Sequence, residues 1–248
     1  MSSKKPVVIV TGGADGFGSA IVDRFSSEGC NVLVIDVNKE KGDTQASKDQ
    51  NVRFIHGDVT LRKTWEQTLE LAQQEFGRLD TVVNNAAICY DPSPVHTLDI
   101  SLYDKVFNIN VKPIFLSVQV IAPYMLECGS GVFVNISSTG YTRPRSGFAF
   151  YNASKAAVTT ATRTMALEYA PIIRFNCIAP TVGNTTMLLR SIGGDDETAQ
   201  KMKKLLSVIP MGRVTEPADV SNAVWYLASD QSSFITGTLL EVDGGRGV

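Results

Sequence analysis

Two side chains capable of acid–base chemistry stand one helical turn apart in the second half of the chain. Tyr151 and Lys155 are four residues apart within a helical pattern, so they share one face of the predicted helix. A free tyrosine has a pKa near ~10 and is a poor base at neutral pH. A nearby ammonium lowers that pKa and would let Tyr151 accept or donate a proton. An ordinary exposed pair on a helix has the same spacing, so the surrounding sequence must decide between the two interpretations.

A glycine-rich turn lies between the first predicted strand and the first predicted helix. Residues 11–18 read TGGADGFG, and glycine at Gly12, Gly16 and Gly18 lets a backbone approach a pyrophosphate closely. The free N–H groups and the dipole at the start of the helix favour the negative charge of such a group. A tight turn without a ligand is the simpler interpretation of a lone glycine run, but the strand before it and the helix after it favour a dinucleotide site.

The acid at the end of the second predicted strand bears on which dinucleotide binds. Asp36 lies eighteen residues beyond the last glycine of the turn, near the ~20-residue interval expected for an acid that binds the adenosine ribose. Its carboxylate would repel a 2′-phosphate, and Asp15 adds a second acid. Val37 and Asn38 supply no arginine, and we expect Lys39 to be the only cation nearby. NAD is therefore favoured over NADP, while the alternative for Asp36 is a helix cap at the end of a strand.

A second carboxylate follows the third predicted strand. Asp58 would accept a hydrogen bond from the adenine amino group, and Val59 would pack on the adenine ring. Helix capping explains Asp58 equally well from the sequence alone.

The composition argues against several classes of function. The 248 residues carry a formal net charge of −2 with no block of lysine and arginine, which argues against a nucleic-acid partner. The N-terminal residues lack the long apolar run of a signal peptide, and no unbroken apolar run reaches the ~20 residues of a membrane span. We therefore expect a cytoplasmic protein without a membrane partner.

The cysteines and histidines argue against a metal site. The four cysteines lie far apart with no C-x-x-C spacing, and His56 and His96 are the only histidines. In a reducing compartment the thiols would act mostly as small buried hydrophobic groups. Cys89 lies close to a motif described below, although packing is its simpler role.

The elements that position these residues alternate between strand and helix. Parallel strands need crossover connections, which helices supply, so we expect a Rossmann-like, doubly wound parallel α/β sheet of about seven strands with helices on both faces. No linker or repeat interrupts the pattern, so residues 1–248 are expected to form one domain. The predicted strands are residues 5–11, 31–36, 52–55, 79–83, 131–136, 172–178 and 238–242, and the predicted helices are residues 15–29, 65–76, from about 101, from about 113, 151–169, about 186–206 and 217–228.

The chain resembles the short-chain dehydrogenase/reductase family along its whole length. The resemblance rests on TGGADGFG at residues 11–18, NNAA at 84–87, NISS at 135–138, YNASK at 151–155 and DGG near the C-terminus. The order and spacing of these motifs agree with the family as well. The resemblance implies an oxidoreductase that transfers a hydride between NAD(H) and a small secondary alcohol or ketone.

The resemblance implies four catalytic positions. Tyr151 would be the general acid/base, and Lys155 would also bind the nicotinamide ribose. Ser138, thirteen residues before Tyr151 at the end of a predicted strand, would hydrogen-bond the reacting oxygen, unless it is only a serine in a strand-end turn. The carbonyl of Asn110 would hold a water that links Lys155 to solvent. Pro113 supports a bend close to that carbonyl because proline lacks a backbone N–H.

The resemblance also implies a set of coenzyme contacts. Ala87 stands where many relatives have glycine, Thr181 replaces a glycine that usually follows Pro180, and Gly183 stands where relatives often have valine or isoleucine. Thr185 would contact the carboxamide or the pyrophosphate. The expected coenzyme contacts are Gly12, Asp15, Gly16, Phe17, Gly18, Asp36, Val37, Asp58, Val59, Asn85, Ala86, Ala87, Tyr151, Lys155, Pro180, Gly183 and Thr185.

The segments that match the family least would form the substrate side. In residues 139–150, Tyr141, Phe148 and Phe150 could make an apolar wall. Arg143 and Arg145 could meet an anionic substrate, although a solvated loop is the simpler interpretation. Residues 184–210 would form a flap over the site, with apolar residues at 187–192 and a glycine pair at 193–194 that would permit movement.

Several alternatives remain open at this stage. They are an NADP-dependent ketone reductase of the 3-oxoacyl type, a non-catalytic NAD-binding protein, and a lyase or isomerase on the same fold. The resemblance also implies a homo-oligomer, a tetramer or a dimer, paired through the helices at residues 101–127 and 151–169.

Overall fold

Seven parallel strands form one sheet in this computed structural model, which describes residues 5–185 and 198–248. The strands are β1 (Val7–Thr11), β2 (Asn31–Asp36), β3 (Val52–His56), β4 (Thr81–Asn84), β5 (Gly131–Ile136), β6 (Ile173–Pro180) and β7 (Leu239–Val242). Their order is β3-β2-β1-β4-β5-β6-β7, and every neighbouring pair runs parallel. The predicted Rossmann-like α/β fold is confirmed.

Helices connect the strands and cover both faces of the sheet. They are α1 (Gly16–Ser27), α2 (Lys39–Ser47), α3 (Arg62–Leu71), α4 (Ile100–Asn110), α5 (Lys112–Cys128), α6 (Ala149–Tyr169), α7 (Thr198–Leu206) and α8 (Pro217–Ala228). A π-helical turn, Ala72–Phe76, extends α3, and short 3₁₀ turns cover Val95–Thr97 and Asp230–Ser232. Of the helix expected at about 186–206, only the α7 end lies within the described residues, and the apolar and glycine positions 187–194 lie outside them.

Helix α2 was not predicted from the sequence. Its sequence, KEKGDTQAS, has no apolar stripe, so hydrophobic periodicity could not reveal it. Its main buried side chain is Gln45, whose amide nitrogen donates to Asp23 in α1 at 2.6 Å. A polar contact therefore helps to hold this helix, beside the packing of Ala46 against the core.

The two faces of the sheet divide the hydrophobic core into two layers. Alternate residues of β1 point to opposite faces, as expected of a strand. Val7 and Ile9 pack in the layer that contains Trp65 together with residues of α5 and α6. Val8 and Val10 pack in the layer formed with α1 and α8. Because both faces are covered, β1 is apolar at every position but its last.

The strand order opens a crevice at the carboxyl ends of β1 and β4. The chain leaves β1 for β2 on one side and later returns to β4 on the other side of β1. The connections after β1 and β4 therefore run in opposite directions, which leaves a gap between them at this edge. Ligands of doubly wound sheets bind in such a gap.

A break between α4 and α5 agrees with the expected effect of Pro113. Val111 separates the two helices, and Pro113 lies in the first turn of α5. By length and composition the segment Ile100–Cys128 could cross a membrane, as the one such helix among the described residues. Its inner face, including Ile121 and Met125, instead packs on the sheet, which is the arrangement of a core helix.

Candidate active site

A cavity of about 440 Å³ opens at the carboxyl ends of the central strands. Its size suits a small-molecule site, for which ~300–1,000 Å³ is typical. Of the residues predicted for catalysis or coenzyme contact, all but Gly18 and Asn110 line it. The predicted residues on its wall are Gly12, Asp15, Gly16, Phe17, Asp36, Val37, Asp58, Val59, Asn85, Ala86, Ala87, Ser138, Tyr151, Lys155, Pro180, Gly183 and Thr185.

Close contacts fix the glycine turn and exclude larger side chains from it. Gly12 has φ of +62°, and a Cβ there would lie 3.0 Å from the Cα of Ala86. Gly18 serves packing instead of lining the cavity, because a Cβ there would lie 1.9 Å from the carbonyl oxygen of Gly12. Gly18 thus has a packing role that lets α1 begin directly beside the turn, and its expected coenzyme contact stays a prediction.

Asn85 and Thr11 hold this turn against the segment that follows β4. The Asn85 side-chain nitrogen donates to the carbonyls of Thr11 at 2.9 Å and Gly12 at 3.1 Å. In return the Thr11 hydroxyl accepts the backbone N–H groups of Asn85 at 2.9 Å and Ala86 at 3.0 Å. Sequence reasoning assigned Asn85 only to the coenzyme and missed Thr11, whose buried hydroxyl positions two of the cavity's segments.

Two backbone N–H groups orient the carboxylate of Asp36. One oxygen accepts the N–H of Ala14 in the glycine turn at 3.1 Å, and the other accepts the N–H of Asn38 at 2.9 Å. Asn38, and not Asp36, caps α2, so the helix-cap alternative for Asp36 is wrong. The side chain lines the cavity with its oxygens held in place.

Lys41, and not the expected Lys39, pairs with the acid of the glycine turn among the described residues. The ammonium of Lys41 lies 2.6 Å from Asp15, while Lys39 pairs with Asp43 on the outer side of α2 at 2.6 Å. The hydrogen bond and the charge of Asp15 raise the pKa of Lys41. Asp15 also accepts the N–H of Gly16 at 2.8 Å and so caps α1.

Asp58 is likewise not a helix cap. Its carboxylate accepts the N–H of Thr60 at 2.8 Å within a turn, while Leu61 occupies the cap position of α3. Asp58 and the buried Val59 both line the cavity beside Asp36.

Phe17 explains why glycine stands at position 183. A Cβ on Gly183 would lie 2.0 Å from the ring of Phe17, so the ring occupies the space that a branched side chain would need. Thr185 closes the same corner, since a Cβ on Gly16 would lie 3.3 Å from its methyl group. Phe17 and Gly183 therefore complement each other on the cavity wall.

Burial controls the acidity of Tyr151. Burial raises the pKa of Tyr151 to about 12, and the neighbouring Cys89 thiol acts in the same direction. A hydrogen bond with Ser138 and the charge of Arg145 act in the opposite direction. The expectation that Lys155 lowers this pKa is not supported by the protein's own contacts, since the ammonium lies 6.0 Å from the ring centroid and burial dominates.

The ammonium of Lys155 is buried at the end of β5. It donates to the carbonyl of Ile136 at 2.8 Å, and burial lowers its pKa to about 8. The residue remains mostly protonated at neutral pH, with its donors available to groups in the cavity.

Ser138 and its neighbour Ser137 have different partners. The Ser138 hydroxyl accepts the N–H of Gly140 at 3.0 Å and bonds with Tyr151. The Ser137 hydroxyl is buried, where it donates to the carbonyl of Lys155 at 3.0 Å. The structure thus places Ser138, the serine chosen by spacing, beside the phenol of Tyr151.

Asn110 lies behind the cavity wall with its side chain fully engaged. Its amide nitrogen donates to the carbonyl of Ile88 at 3.0 Å and to the hydroxyl of Ser154 at 3.1 Å. Its amide oxygen accepts the N–H of Ile88 at 2.8 Å, and Ser154 in turn donates to the carbonyl of Tyr151 at 2.7 Å. The side chain therefore links the segment after β4 to α6, a positioning role that the sequence did not reveal.

Tyr90 is a further residue that sequence reasoning missed. Its buried hydroxyl accepts the N–H groups of Phe150 at 3.1 Å and Tyr151 at 3.4 Å, at the start of α6. Its ring lies 6.0 Å from that of Phe148. No local sequence signal marks a tyrosine sixty-one residues away as the partner of a helix start.

The expected aromatic wall is reduced to one ring. Phe148 lines the cavity, whereas Phe150 packs edge-on against Tyr103 at 5.0 Å, and Tyr141 does not line the cavity either. Cys89 and Arg145 are on the same wall as Phe148. The substrate end is therefore apolar with a cationic group, and the expected flap at 184–210 lies mostly outside the described residues.

Comparisons with known proteins agree with this geometry along the whole chain. A family model described as enoyl-(acyl carrier protein) reductase matches residues 12–246. The 4-formylbenzenesulfonate dehydrogenase of Comamonas testosteroni is 38% identical over 253 residues, covering 100% of both chains. The cyclopentanol dehydrogenase of Comamonas sp. (strain NCIMB 9872) is 35% identical over 244 residues, covering 96% of each chain.

Solved structures are similar over the same length. The 3-ketoacyl-(acyl-carrier-protein) reductase from Brucella melitensis, in complex with NADH, has a TM-score of 0.91 and 31% identity, covering 99% of this chain and 100% of that one. Levodione reductase has a TM-score of 0.93 and 31% identity, covering 98% and 97%. The chain therefore belongs to the short-chain dehydrogenase/reductase family, a family of oxidoreductases.

Proposed function

We propose that the protein is an NAD(H)-dependent oxidoreductase that interconverts a ring-bearing alcohol and the corresponding carbonyl compound. The observation that carries the proposal is one continuous cavity with Asp36 at one end and Tyr151, Ser138 and Lys155 at the other. A coenzyme and a small substrate that meet in this cavity would bring the reacting carbon to the phenol of Tyr151.

The residues at the acidic end fit a nicotinamide dinucleotide. Gly12 and Gly16 line the cavity with positive φ and no side chain, so the backbone of the turn can approach a ligand closely. Asp36 offers a fixed carboxylate to ribose hydroxyls, and no arginine of residues 5–185 or 198–248 lines this end of the cavity. Val37 is 66% exposed and presents no positive charge to a 2′-phosphate. This combination supports NAD over NADP.

Tyr151 would move the proton at the substrate oxygen. A bound nicotinamide supplies the hydride donor or acceptor. Tyr151 gives its phenolic proton to a carbonyl oxygen during reduction and takes the hydroxyl proton during oxidation. Burial keeps the phenol protonated at neutral pH, the form that reduction needs. Ser138 donates a hydrogen bond to the same oxygen and stabilises its developing charge.

Lys155 and Asn110 would support this proton transfer by binding the coenzyme ribose and by connecting the site to solvent through a water. The ammonium of Lys155 can donate to ribose hydroxyls while its bond to Ile136 fixes it. At the α4–α5 break, the N–H of Ile114 donates to the carbonyl of Val111 at 3.0 Å and not to that of Asn110. The Asn110 carbonyl is thereby left to hold a water that would return protons from solvent to Lys155.

The relatives support a small cyclic substrate. One is a dehydrogenase of 4-formylbenzenesulfonate, and others act on cyclopentanol and on 2,5-dichloro-2,5-cyclohexadiene-1,4-diol. The apolar wall formed by Ile88, Cys89 and Phe148 suits one ring. The matched 3-oxoacyl-[acyl-carrier-protein] reductase of Thermotoga maritima, 36% identical, keeps an acyl reductase as the alternative.

We also propose that the protein forms a homo-oligomer through α4, α5 and α6. Phe115 on α5 is 61% exposed and Leu167 on α6 is 84% exposed, which is costly on a free surface. Light scattering coupled to size-exclusion chromatography would contradict this proposal if it gave the mass of one chain.

The test of the proposed function compares the parent protein with Tyr151→Phe. Absorbance of the reduced nicotinamide is followed with cyclic alcohols and ketones, each with NAD(H) and with NADP(H). We expect turnover with NAD(H) and a loss of kcat of about 10³-fold in the variant, within the range for removal of a general acid. NADH binding, followed by fluorescence, should stay within about 3-fold because the hydroxyl is not needed for it. Equal turnover by Tyr151→Phe would overturn the assignment, and turnover only with NADP(H) would overturn the coenzyme choice.

A further inference from the structure

The charged residues that line the cavity are sorted by sign. The acidic ones, Asp15, Asp36 and Asp58, follow β1, β2 and β3 at the coenzyme end. The cationic ones at the other end are Lys155, Arg143, Arg145 and Arg246, and no described acidic residue lines the cavity there. The substrate end therefore carries net positive charge.

Arg145 is tied to the catalytic tyrosine through a single aromatic ring. Its guanidinium lies 4.7 Å from the centroid of the Phe148 ring, which is buried. Phe148 also contacts Tyr151, whose ring meets it edge-on at 6.5 Å. The guanidinium and the proton-transferring phenol therefore share one aromatic neighbour on the cavity wall, and the charge of Arg145 acts on Tyr151.

Arg145 lacks the carboxylate partner that five of the described arginines have. Arg24, Arg53, Arg62, Arg78 and Arg213 each form an ion pair with a carboxylate. Within residues 5–185 and 198–248, no carboxylate lies within ion-pair distance of Arg145 or Arg246. Arg143, which is exposed, instead donates to the carbonyl of Gly247.

The surroundings of Arg145 disfavour its positive charge as long as no anion pairs with it. Burial lowers the pKa of Arg145, and the nearby charge of Arg246 acts in the same direction. A partly buried cation beside a second cation is unfavourable unless an anion pairs with it. An anionic ligand group between the two guanidinium groups would remove both penalties and gain charge-assisted hydrogen bonds.

We propose that the substrate carries a permanent oxyanionic group, a carboxylate or a sulfonate, that binds Arg145 with the help of Arg246. One ring separates this group from the carbon that reacts at Tyr151. The proposal rests on the proposed function, since it names the substrate class of the same site. Arg145 would be the residue that determines this specificity, because the planar guanidinium suits two oxygens of one anion.

The test uses two ketones that share one ring and one acetyl group and differ in the charge of the group opposite, the neutral one carrying an additional ester methyl group. 4-Acetylbenzoate is compared with its neutral methyl ester, methyl 4-acetylbenzoate, in NADH-dependent reduction. The hydride goes to the ketone carbon and the proton to its oxygen in both cases. We expect the parent protein to prefer the anion in kcat/KM by about 10–100-fold, the range for a charge-assisted hydrogen bond.

Variants at Arg145 should remove this preference selectively. Arg145→Gln should lower kcat/KM for the anion by about 10–100-fold and change that for the ester by less than about 3-fold. Arg145→Lys keeps the charge and should retain part of the preference. Arg53→Gln is the matched control, because Arg53 is exposed, pairs with Glu75 on another surface and should leave both rates unchanged. An equal loss for both ketones, or no loss, would overturn the proposal.

Binding of unreactive compounds separates this proposal from the proposed function. Calorimetry measures 4-methylbenzoate and neutral 4-methylbenzamide with the parent protein and Arg145→Gln, each saturated with NADH. Tighter binding of the anion that Arg145→Gln abolishes would support the anion site even if neither ketone turned over, and only the proposed function would then fail. Binding of the anion no tighter than that of the amide would overturn the anion site whatever the kinetics show.

Discussion

The coenzyme end and the substrate end of the cavity are built from different kinds of group. At the coenzyme end, backbone atoms make most of the contacts: the N–H of Gly12 bonds the carbonyl of Ile35 at 2.8 Å, and Asn85 bonds the backbone of the turn. At the substrate end, side chains such as Phe148 and Arg145 form the wall. Backbone contacts restrict which residue types fit, whereas side-chain walls can change with the substrate.

The largest expected effect is a change of coenzyme preference that leaves the substrate preference unchanged, because the two ends of the cavity are built separately. Asp36→Ser with Val37→Arg removes a negative charge and supplies a positive one where a 2′-phosphate would lie. We expect the ratio of kcat/KM for NADPH to that for NADH to rise by about 100-fold or more, since two charge-assisted contacts change. The order of preference among ketones should remain the same.

Asp36→Asn is the control for the backbone role of this side chain. Its amide oxygen can still accept the N–H of Ala14, so the turn is kept while the charge is lost. This variant should weaken NADH binding without creating tight NADPH binding. If Asp36→Ser with Val37→Arg still strongly preferred NADH, Asp36 would not determine the coenzyme preference.

This division also explains what could be predicted from the sequence. Gly12 requires glycine because its φ is positive, and Gly18 requires it because a Cβ there would lie within 3 Å of the Gly12 backbone. The spacing of these glycines in the sequence therefore predicts the turn. The central strands β1 and β2 were recognisable because burial on both faces makes them mostly apolar. Helix α2, held by the polar contact of Gln45, had no such signal.

The contacts that the sequence did not reveal depend on residues far apart in the chain. Tyr90 reaches the start of α6, and the Asn110 side chain bonds Ile88 and Ser154. The burial of Tyr151, which raises its pKa, could not be inferred from four-residue spacing either, and the expected lowering of this pKa by Lys155 stays a prediction. The ion pair between Lys41 and Asp15 depends on how α2 packs against the rest of the protein. That packing could not be predicted, because α2 has no apolar stripe.

Each end of the cavity has a lysine with a shifted pKa, lowered for Lys155 at the substrate end and raised for Lys41 at the coenzyme end. The contribution of each lysine to the free energy of unfolding should therefore depend differently on pH. Lys155 is buried with its pKa lowered from 10.5 to about 8, so the unfolded chain binds more protons than the folded one between these values. The free energy of unfolding should therefore rise from pH 8 to pH 10, by about 2 kcal/mol, through this residue. The thiols of Cys30 and Cys177, whose pKa burial raises from 9.0 to about 11, oppose this trend above about pH 9, and Tyr151 opposes it above its ordinary value of 10. The contribution of Lys155 is therefore the difference between the parent and a variant without this ammonium.

Urea denaturation of the parent and Lys155→Met at several values between pH 7 and pH 10 measures this effect. The variant should lose the rise, because no buried ammonium remains to be deprotonated. Lys41→Met is the control from the coenzyme end, where the exposed lysine has a raised pKa and stays charged throughout this range. Parallel curves for the parent and Lys155→Met would show that the ammonium is not destabilised by burial.

The smallest expected effect tests whether a distant side chain positions the catalytic tyrosine. Tyr90→Phe keeps the ring beside Phe148 but removes the hydroxyl that accepts two N–H groups at the start of α6. No other side chain caps this helix, so the loss should cost about 1 kcal/mol of unfolding free energy.

The kinetic consequence distinguishes positioning from stability alone. The Tyr90 hydroxyl holds the backbone of Tyr151 itself, so its loss should lower kcat several-fold while NADH affinity stays unchanged, because the coenzyme end does not contact Tyr90. Tyr226→Phe, a half-exposed tyrosine on α8, is the control and should change neither. A lower unfolding free energy with an unchanged kcat would mean that α6 keeps Tyr151 in place without this hydroxyl. A parallel loss of NADH affinity would mean that the two ends are mechanically coupled through α6, and the contrast between a backbone-built end and a side-chain-built end would then not hold.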